Sequence, residues 1–495
     1  MRNIFSKNIV IVILLISVST FFYSALAQSS FADTENLKNT LNYLCSEELN
    51  GRLSGQPGYN KAAEYVAEKF KESGLTPLFG ESYYQYFNVE TNQISGGLKF
   101  YSDYRGKKKE YKLGTDYIFR GFTGSGNLTD KEIVFCGYGF SRPDLGYDDY
   151  SGMNVRGKVV LVFKQNPGWQ INNSSWGNGY PREKAMTAFE KGALGIILVS
   201  LPNTPNPQTA IGSVLEGEGI QMKNFPMLHI ELNIAPDFLE GTGFSISQLQ
   251  SMIDSTNKPH SIELKTSTGI VVKAKYEKEG LTMNIAGILE GSDPVLKNEY
   301  IIVGAHIDHV GGQGGEVYFP GANDNASGSA AVLEAVRVLS GMREKLKRSV
   351  IFVLFASEEI GLNGSGNFVK GSPVPLNKIT AMINFDCIGS GDSIQIGNGK
   401  SCPVLWSITK GIDERCKRLM IERTWSGGGA DATAFHQAGI PSLYFVSFFS
   451  YDNLHKISDR PETLNFSLLK NITDLGIETL LKISGEEYSR EVIRE

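Results

Sequence analysis

Residues able to hold a metal ion stand, one after another, where the apolar runs of this 495-residue chain end. His306 and Asp308 follow the run 300–305, Glu358 and Glu359 follow 350–355, and Asp386 follows 380–385, while Asp324 comes just ahead of the periodic stretch 327–339. Any one of them alone is more commonly a helix cap or half of a salt bridge. Their shared address makes a common metal site the stronger reading. Metal-bound histidine usually gives its second ring nitrogen to a carboxylate, and Asp308 is placed in sequence to take it from His306. His309 points to the opposite face if strand geometry persists, and is read as a structural histidine. Glu358 and Glu359 are adjacent acids that repel one another unless cations neutralise them. If two zinc ions bring four positive charges, Asp324, Asp386, Glu359 and a bridging hydroxide offset all four, leaving Glu358 as the acid with a proton to move. The chemistry implied is metal-assisted hydrolysis with a glutamate base.

The elements that must position these groups are legible as patterns. The runs 300–305, 350–355, 380–385 and 442–446 are continuously apolar, as in strands covered on both faces, and 327–339 and 467–481 have helical periodicity. This is an α/β layered domain, a class that binds ligands at the carboxyl ends of its strands. Residues 34–74 read as helical, with Tyr59, Ala62, Ala63, Val66 and Phe70 on one face and Gly74 at the stop. From 82 to 273 short β-type runs alternate with turns rich in Gly, Asn and Pro. Within that stretch, strand 155–163, helix 182–191 and strand 195–199 form one crossover unit, and the loop 166–181 has no recognisable ligand set. The expected division is 1–27 signal segment, 28–128 first part of the catalytic domain, 129–275 an inserted β-rich α+β domain, and 276–495 the part carrying the site.

Five motifs, His306-Ile-Asp308, Gly321-Ala-Asn-Asp-Asn-Ala-Ser-Gly328, Ser357-Glu-Glu359, Asn384-Phe-Asp386 and His455-x-x-x-Asp459, resemble in order and spacing those of metallopeptidase clan MH. They resemble in particular its co-catalytic dizinc aminopeptidases, a branch that often carries a protease-associated domain inserted in the peptidase domain. The resemblance extends to Glu48-Leu-Asn-Gly-Arg-Leu-Ser-Gly55 and to the segments around Tyr147 and Val155-Arg-Gly-Lys158, and so spans nearly the whole mature chain. It implies a three-layer α/β/α peptidase domain with a mixed, mainly parallel central sheet. It further implies two Zn2+ per chain, Asp324 bridging them, His306 and Asp386 completing one, Glu359 and His455 the other, Glu358 as base and Asp308 as its catalytic companion. Leu454 stands where the family usually has Tyr before its last histidine, which leaves His436 as the fallback for His455. Asp431 and Phe435 resemble the substrate-pocket segment, with a capped surface helix as the other reading. The implied substrates are peptides with a free N-terminus. A glutamate-type carboxypeptidase and a non-catalytic receptor-like protein share the fold; the first needs cationic groups for a free carboxylate, and the second would be expected to have lost ligands or base.

Composition sets the outer bounds. With 41% hydrophobic and 20% charged residues the chain is a folded one of more than one domain. Arg2 and Lys7, the apolar stretch 9–22 and Ala25-Leu26-Ala27 read as a secretory signal cut near Gln28, so the protein is expected to be periplasmic or extracellular with no membrane span afterwards. An uncleaved anchor is the alternative. The formal charge is −5, and removing 1–27 takes away two positive charges to leave −7, which argues against nucleic acid as a partner. The five cysteines, Cys45, Cys136, Cys387, Cys402 and Cys416, match no metal or redox spacing, and a Cys402–Cys416 bridge is left open.

Overall fold

The computed structural model describes residues 30–178, 180–215, 219–448 and 451–494; the signal reading of 1–27 lies outside them. Helix α1 (Thr34–Leu44) starts where the Asp33 carboxylate accepts the N–H groups of Glu35 and Asn36, and it buries Leu37, Leu41 and Leu44 along one stripe. Helix α2 (Pro57–Glu72) has proline in its first turn and buries Tyr59, Ala62, Ala63, Val66 and Phe70. The helical stretch expected over 34–74 is therefore two helices. They are parted at Glu47–Arg52, where Asn50 and Gly51 take left-handed φ values of 43° and 70°. Gly51 is required there twice over, because a Cβ would also lie 2.2 Å from the carbonyl oxygen of Gly311.

Further along the chain come β1 (Tyr84–Tyr104), β2 (Tyr117–Phe119), β3 (Gly126–Phe135), β4 (Val159–Phe163), α3 (Pro181–Glu190), β5 (Gly195–Val199), β6 (Met227–Ile230), α4 (Ile246–Thr256) and the 28-residue strand β7 (Ile262–Leu289). Then follow β8 (Tyr300–His306), α5 (Ser327–Ser340), β9 (Ser349–Phe355), α6 (Asn363–Lys370), β10 (Ile379–Phe385), β11 (Ser393–Gly397), α7 (Pro403–Arg415), α8 (Ala432–Gln437), β12 (Ser442–Phe448) and α9 (Phe466–Ile483).

The catalytic half of the sheet runs β11-β12-β10-β8-β9-β7, with β12, β10, β8 and β9 parallel to one another and β11 and β7 antiparallel at the two sides. Alternate residues face opposite layers. Val350, Phe352 and Leu354 of β9 join the core beneath α1, α2, α5 and α9, whereas Ile351, Val353 and Phe355 join Phe368 of α6 and Phe435 of α8 on the other side. Both faces are covered, which is why these strands read as unbroken apolar runs. This is the expected three-layer α/β fold with a mixed, mainly parallel sheet.

Strand β7 continues past the catalytic half and carries a second body. Its first part pairs with β3, from which the order β3-β4-β5-β6-β2 follows. Here too residues alternate, Leu161 and Ile197 packing toward α4, and Val160 and Ile196 toward α3. Strand β2 pairs with β6, and Ile94, Phe100 and Tyr111 pack in this second core, so a boundary at 129 falls inside β3 and this core reaches back before it. A small apolar cluster of Ile118, Ala210, Val214, Val310 and Phe319, flanked by Ile360 and Ile457, lies between the two bodies. All five cysteines are unpaired, and Cys402 and Cys416 cap opposite ends of α7, about 20 Å apart by helical rise, which rules out a bridge between them.

Candidate metal centre

Strand ends deliver His306, Glu358, Glu359 and Asp386, whereas loops carry Asp324 and His455. His306 is the last residue of β8, and Ser329 Oγ on α5 donates to its carbonyl at 2.8 Å. The Asp308 carboxylate lies 3.7 Å from His306 Nδ1, while the Asp308 backbone oxygen is nearer at 3.2 Å. What the carboxylate does hold is the N–H of Glu358, at 3.1 Å. Asp324 sits in the loop ahead of α5, and the Asp324–Asn325 peptide is cis. Asp459 grips that loop by accepting the N–H groups of Asn323 (2.8 Å) and Asp324 (3.2 Å), and Asn325 Nδ2 donates to the Phe385 carbonyl next to Asp386. Gly321, at φ 59°, is confined by the ring of His309, which a Cβ would meet at 2.5 Å. After β9, Ser357 turns left-handed and donates its N–H to Ser54 Oγ at 2.9 Å, which sends Glu358 and Glu359 into the cleft.

These residues converge in two groups that share Asp324. One comprises His306, Asp324 and Asp386; the other His309, Asp324, Glu359 and His455. Within each group the ligand atoms lie no more than 4.8 Å apart. Asp324 Oδ1 faces His306 Nε2 at 3.4 Å, and Oδ2 faces His455 Nε2 at 3.1 Å. His306 Nε2 is 3.5 Å from Asp386 Oδ1, and His455 Nε2 is 3.0 Å from Glu359 Oε2. The sequence-predicted set thus comes together. Glu358 is the acid that opens most to the cleft, with 19% of its side chain exposed beside His455 at 20%, against 10% or less for Asp324, Glu359 and Asp386.

Two expectations change, and the fallback ligand drops out. His309 does not turn away: its Nδ1 is 2.7 Å from Glu359 Oε1, because the chain leaves strand geometry after Ile307 and Gly311 takes a left-handed turn. His436 stays outside the cluster, with its Nε2 against Ser401 Oγ at 2.9 Å. Phe435 is fully buried between Phe355 and Phe368, so it is core and not pocket wall; Asp431 is equally buried, which also excludes a capped surface helix. Burial pushes the Asp431 carboxyl up to about 7.

Sequence reasoning also passed over Arg52 and Ser54, although both lie in a segment quoted for its resemblance. Fully buried Arg52 donates to the carbonyls of Ile307 (2.8 Å), Pro320 (2.7 Å), Gly321 (3.0 Å) and Leu44, tying the His306 and Asp324 loops to the N-terminal helices. Tyr444 was passed over as well; its hydroxyl donates to Asp386 Oδ2 at 3.3 Å.

The electrostatics of the cluster fit cations. Asp386 Oδ1 and Asp308 Oδ2 are buried with no hydrogen-bond partner among the described residues, a costly arrangement unless a positive charge faces them. Burial works to raise the Glu359 carboxyl, but His455 and the hydrogen bond from His309 hold it down at about 2. Burial, reinforced by Asp386, Glu359 and Asp431, drives Glu358 well above the usual carboxylate range despite the pull of His306. One acid is thus held ionised and its neighbour is left ready to take a proton.

A cage of imidazoles and carboxylates at the carboxyl edge of a mainly parallel α/β sheet is the equipment of a metal-dependent hydrolase. Residues 284–480, which carry that edge, match the model of Peptidase family M28. The chain is 24% identical over 413 residues to aminopeptidase YwaD of Bacillus subtilis, covering 81% of this chain and 73% of the relative. It is 25% identical to the probable lipoprotein aminopeptidase LpqL of Mycobacterium tuberculosis, covering 79% and 68%. Among solved structures it resembles an M28 peptidase precursor of Shewanella amazonensis (TM-score 0.64, 18% identity, 97% of this chain and 98% of that one). A zinc aminopeptidase of Bacillus subtilis is similar to the same degree (0.63, 18%, 94% and 99%). At that identity the likeness establishes the fold.

Proposed function

We propose that this protein is an exported dizinc aminopeptidase that hydrolyses the N-terminal peptide bond of peptides. The observation that carries the reading is Asp324, whose two carboxylate oxygens face two separate ligand groups. His306 and Asp386 would hold one zinc, Glu359 and His455 the other, and Asp324 both. Bound there, the ions would supply Lewis acidity and make a shared water acidic enough to be deprotonated near neutral pH. Glu358 would take a proton from the attacking water on its carboxylate and give it to the departing amine nitrogen as the C–N bond breaks. Asp308 keeps Glu358 in place through its backbone N–H. Among the described residues none of these acids pairs with Lys or Arg. That favours a substrate's free α-ammonium over a free carboxylate, and so an aminopeptidase over a carboxypeptidase. The names of the relatives above support the same activity. The second body, expected over 129–275 and reaching back before 129, is read as a non-catalytic protease-associated insertion. Export rests on the 1–27 pattern, and no helix among the described residues is long and apolar enough to cross a membrane.

The test is Glu358→Gln, assayed on a panel of aminoacyl anilides with zinc measured on the same samples. Activity falls about 100-fold or more with two zinc ions retained per chain. Fewer than two in the parent protein, or equal activity in the variant, refutes the mechanism. Cleavage confined to N-blocked peptides with a free carboxylate would replace it with a carboxypeptidase.

A further inference from the structure

The second body touches the metal centre through its backbone. Gly212, on the loop between β5 and β6, donates its N–H to the carbonyl oxygen of His455 at 2.7 Å. Among the described residues this is the backbone hydrogen bond that reaches His455 from outside its own loop; the neighbouring bonds, Lys456 to Asn453 and Asp459 to Lys456, are internal to it. His455 has φ 55°, in the left-handed region, so its conformation depends on what surrounds it. The Gly212 loop is itself anchored. Glu231, just past β6, accepts the N–H of Ala210 on Oε1 at 2.7 Å, and its own N–H is held by the Asp116 carbonyl at 2.8 Å. The apolar cluster then locks the contact, with Ala210 and Val214 packed on Val310 of the His306 loop and Phe319, and Ile457 beside them. Gly212 has no room for a side chain: a Cβ would meet Val310 at 2.8 Å and Phe319 at 3.0 Å.

We propose that the loop 210–215 of the inserted body is a positioning element for the metal centre, acting through Glu231, Ala210 and Gly212 on His455 and setting the affinity of the zinc that His455 and Glu359 hold. The inference rests on the dizinc reading above and gives the insertion a role in that site. Glu231 and Gly212 touch neither metal nor substrate. Their effect passes through the placement of the His455 backbone, and partners of this indirect kind typically change metal affinity about 10–100-fold.

The experiment measures stepwise Zn2+ binding by chelator competition on the full mature chain for the parent, Glu231→Ala, Glu231→Gln and Gly212→Ala, with thermal unfolding of the metal-free proteins alongside. Glu231→Ala removes the acceptor for Ala210, and Gly212→Ala pushes the loop off Val310 and Phe319. Each weakens one of the two zinc steps by about 10–100-fold and leaves the other within about twofold. Glu231→Gln retains an oxygen acceptor and restores the parent value. Two parental zinc affinities in both alanine variants overturn the proposal, as does an equal loss at both steps accompanied by a lower melting temperature, which marks general destabilisation. Fewer than two zinc ions on the parent protein would instead defeat the dizinc reading, so the two failures are distinguishable.

Discussion

At the scale of single residues, Arg52 and Asp459 hold the Asp324 loop from two sides, and Arg52 also holds the His306 loop. A fully buried guanidinium that donates to four carbonyl oxygens uses its planar fork to fix several loops at once, which a lysine ammonium cannot span. Arg52→Lys is therefore expected to leave one or two buried carbonyls unpaired and to lower stability by roughly 1–3 kcal/mol for each, read from urea unfolding. Zinc affinity should fall about tenfold with it. A variant matching the parent in both would show the clamp to be dispensable. His306, Glu359 and Asp386 were legible because each follows an apolar run whose end is visible in sequence, Asp324 because it precedes a periodic stretch, and His455 only through the resemblance. His309 was misjudged for a related reason: the alternation used to place it ends at Ile307, and only the Gly311 turn, invisible to periodicity, brings its ring to Glu359. Arg52 could be found only by resemblance, since nothing local marks a residue whose partners lie some 255 positions away.

At the scale of elements, Phe435 shows how a pocket assignment becomes a packing fact. Helix α8 is six residues long and is held down by the ring of Phe435 between Phe355 and Phe368, at centroid distances of 5.9 and 6.0 Å. Phe435→Ala should cost about 3–5 kcal/mol in denaturant unfolding, whereas Phe435→Leu should leave the ranking of preferred N-terminal residues unchanged in an anilide panel. A changed ranking would return Phe435 to the pocket. The catalytic strands and the helices α5 and α9 fall within a residue or two of their sequence patterns because burial on both faces leaves only one kind of residue available. The long strands β1 and β7 were not legible as such. Their pairing carries register shifts near Lys273 and Gly280, and Gly96 and Gly97 interrupt the pattern, so each reads as a string of short runs.

At the scale of the whole molecule, stability should depend on pH through the second body. Lys184 is buried beneath the ring of Phe140, its ammonium 5.0 Å from the centroid, and donates to the carbonyls of Phe163 and Gln165. Burial pulls it from 10.5 down to about 7, against the opposing attraction of Asp149. Because the folded value is depressed, the unfolded chain binds the extra proton between about 7 and 10.5, so this residue adds stability as pH rises through that window and withdraws it as pH falls back. Urea midpoints of the parent and of Lys184→Met, compared from pH 7 to pH 10, should diverge by a pH slope that only the parent shows. Parallel profiles would mean that the ammonium is not held in so dry a place.

The ribbon of β1 and β7 has a consequence for how such a protein can change. The chain leaves the catalytic half along one strand and returns along its hydrogen-bonded neighbour, with Tyr84 opposite Ile285 at the near end and Asp103 opposite Ser267 at the far end. Topologically everything beyond that ribbon is an overgrown hairpin tip, and a lineage can lengthen, exchange or shed such a tip without rethreading the sheet that holds the acids. The loop around Gly212 makes that freedom conditional: an exchange is silent only if the newcomer also leans on His455.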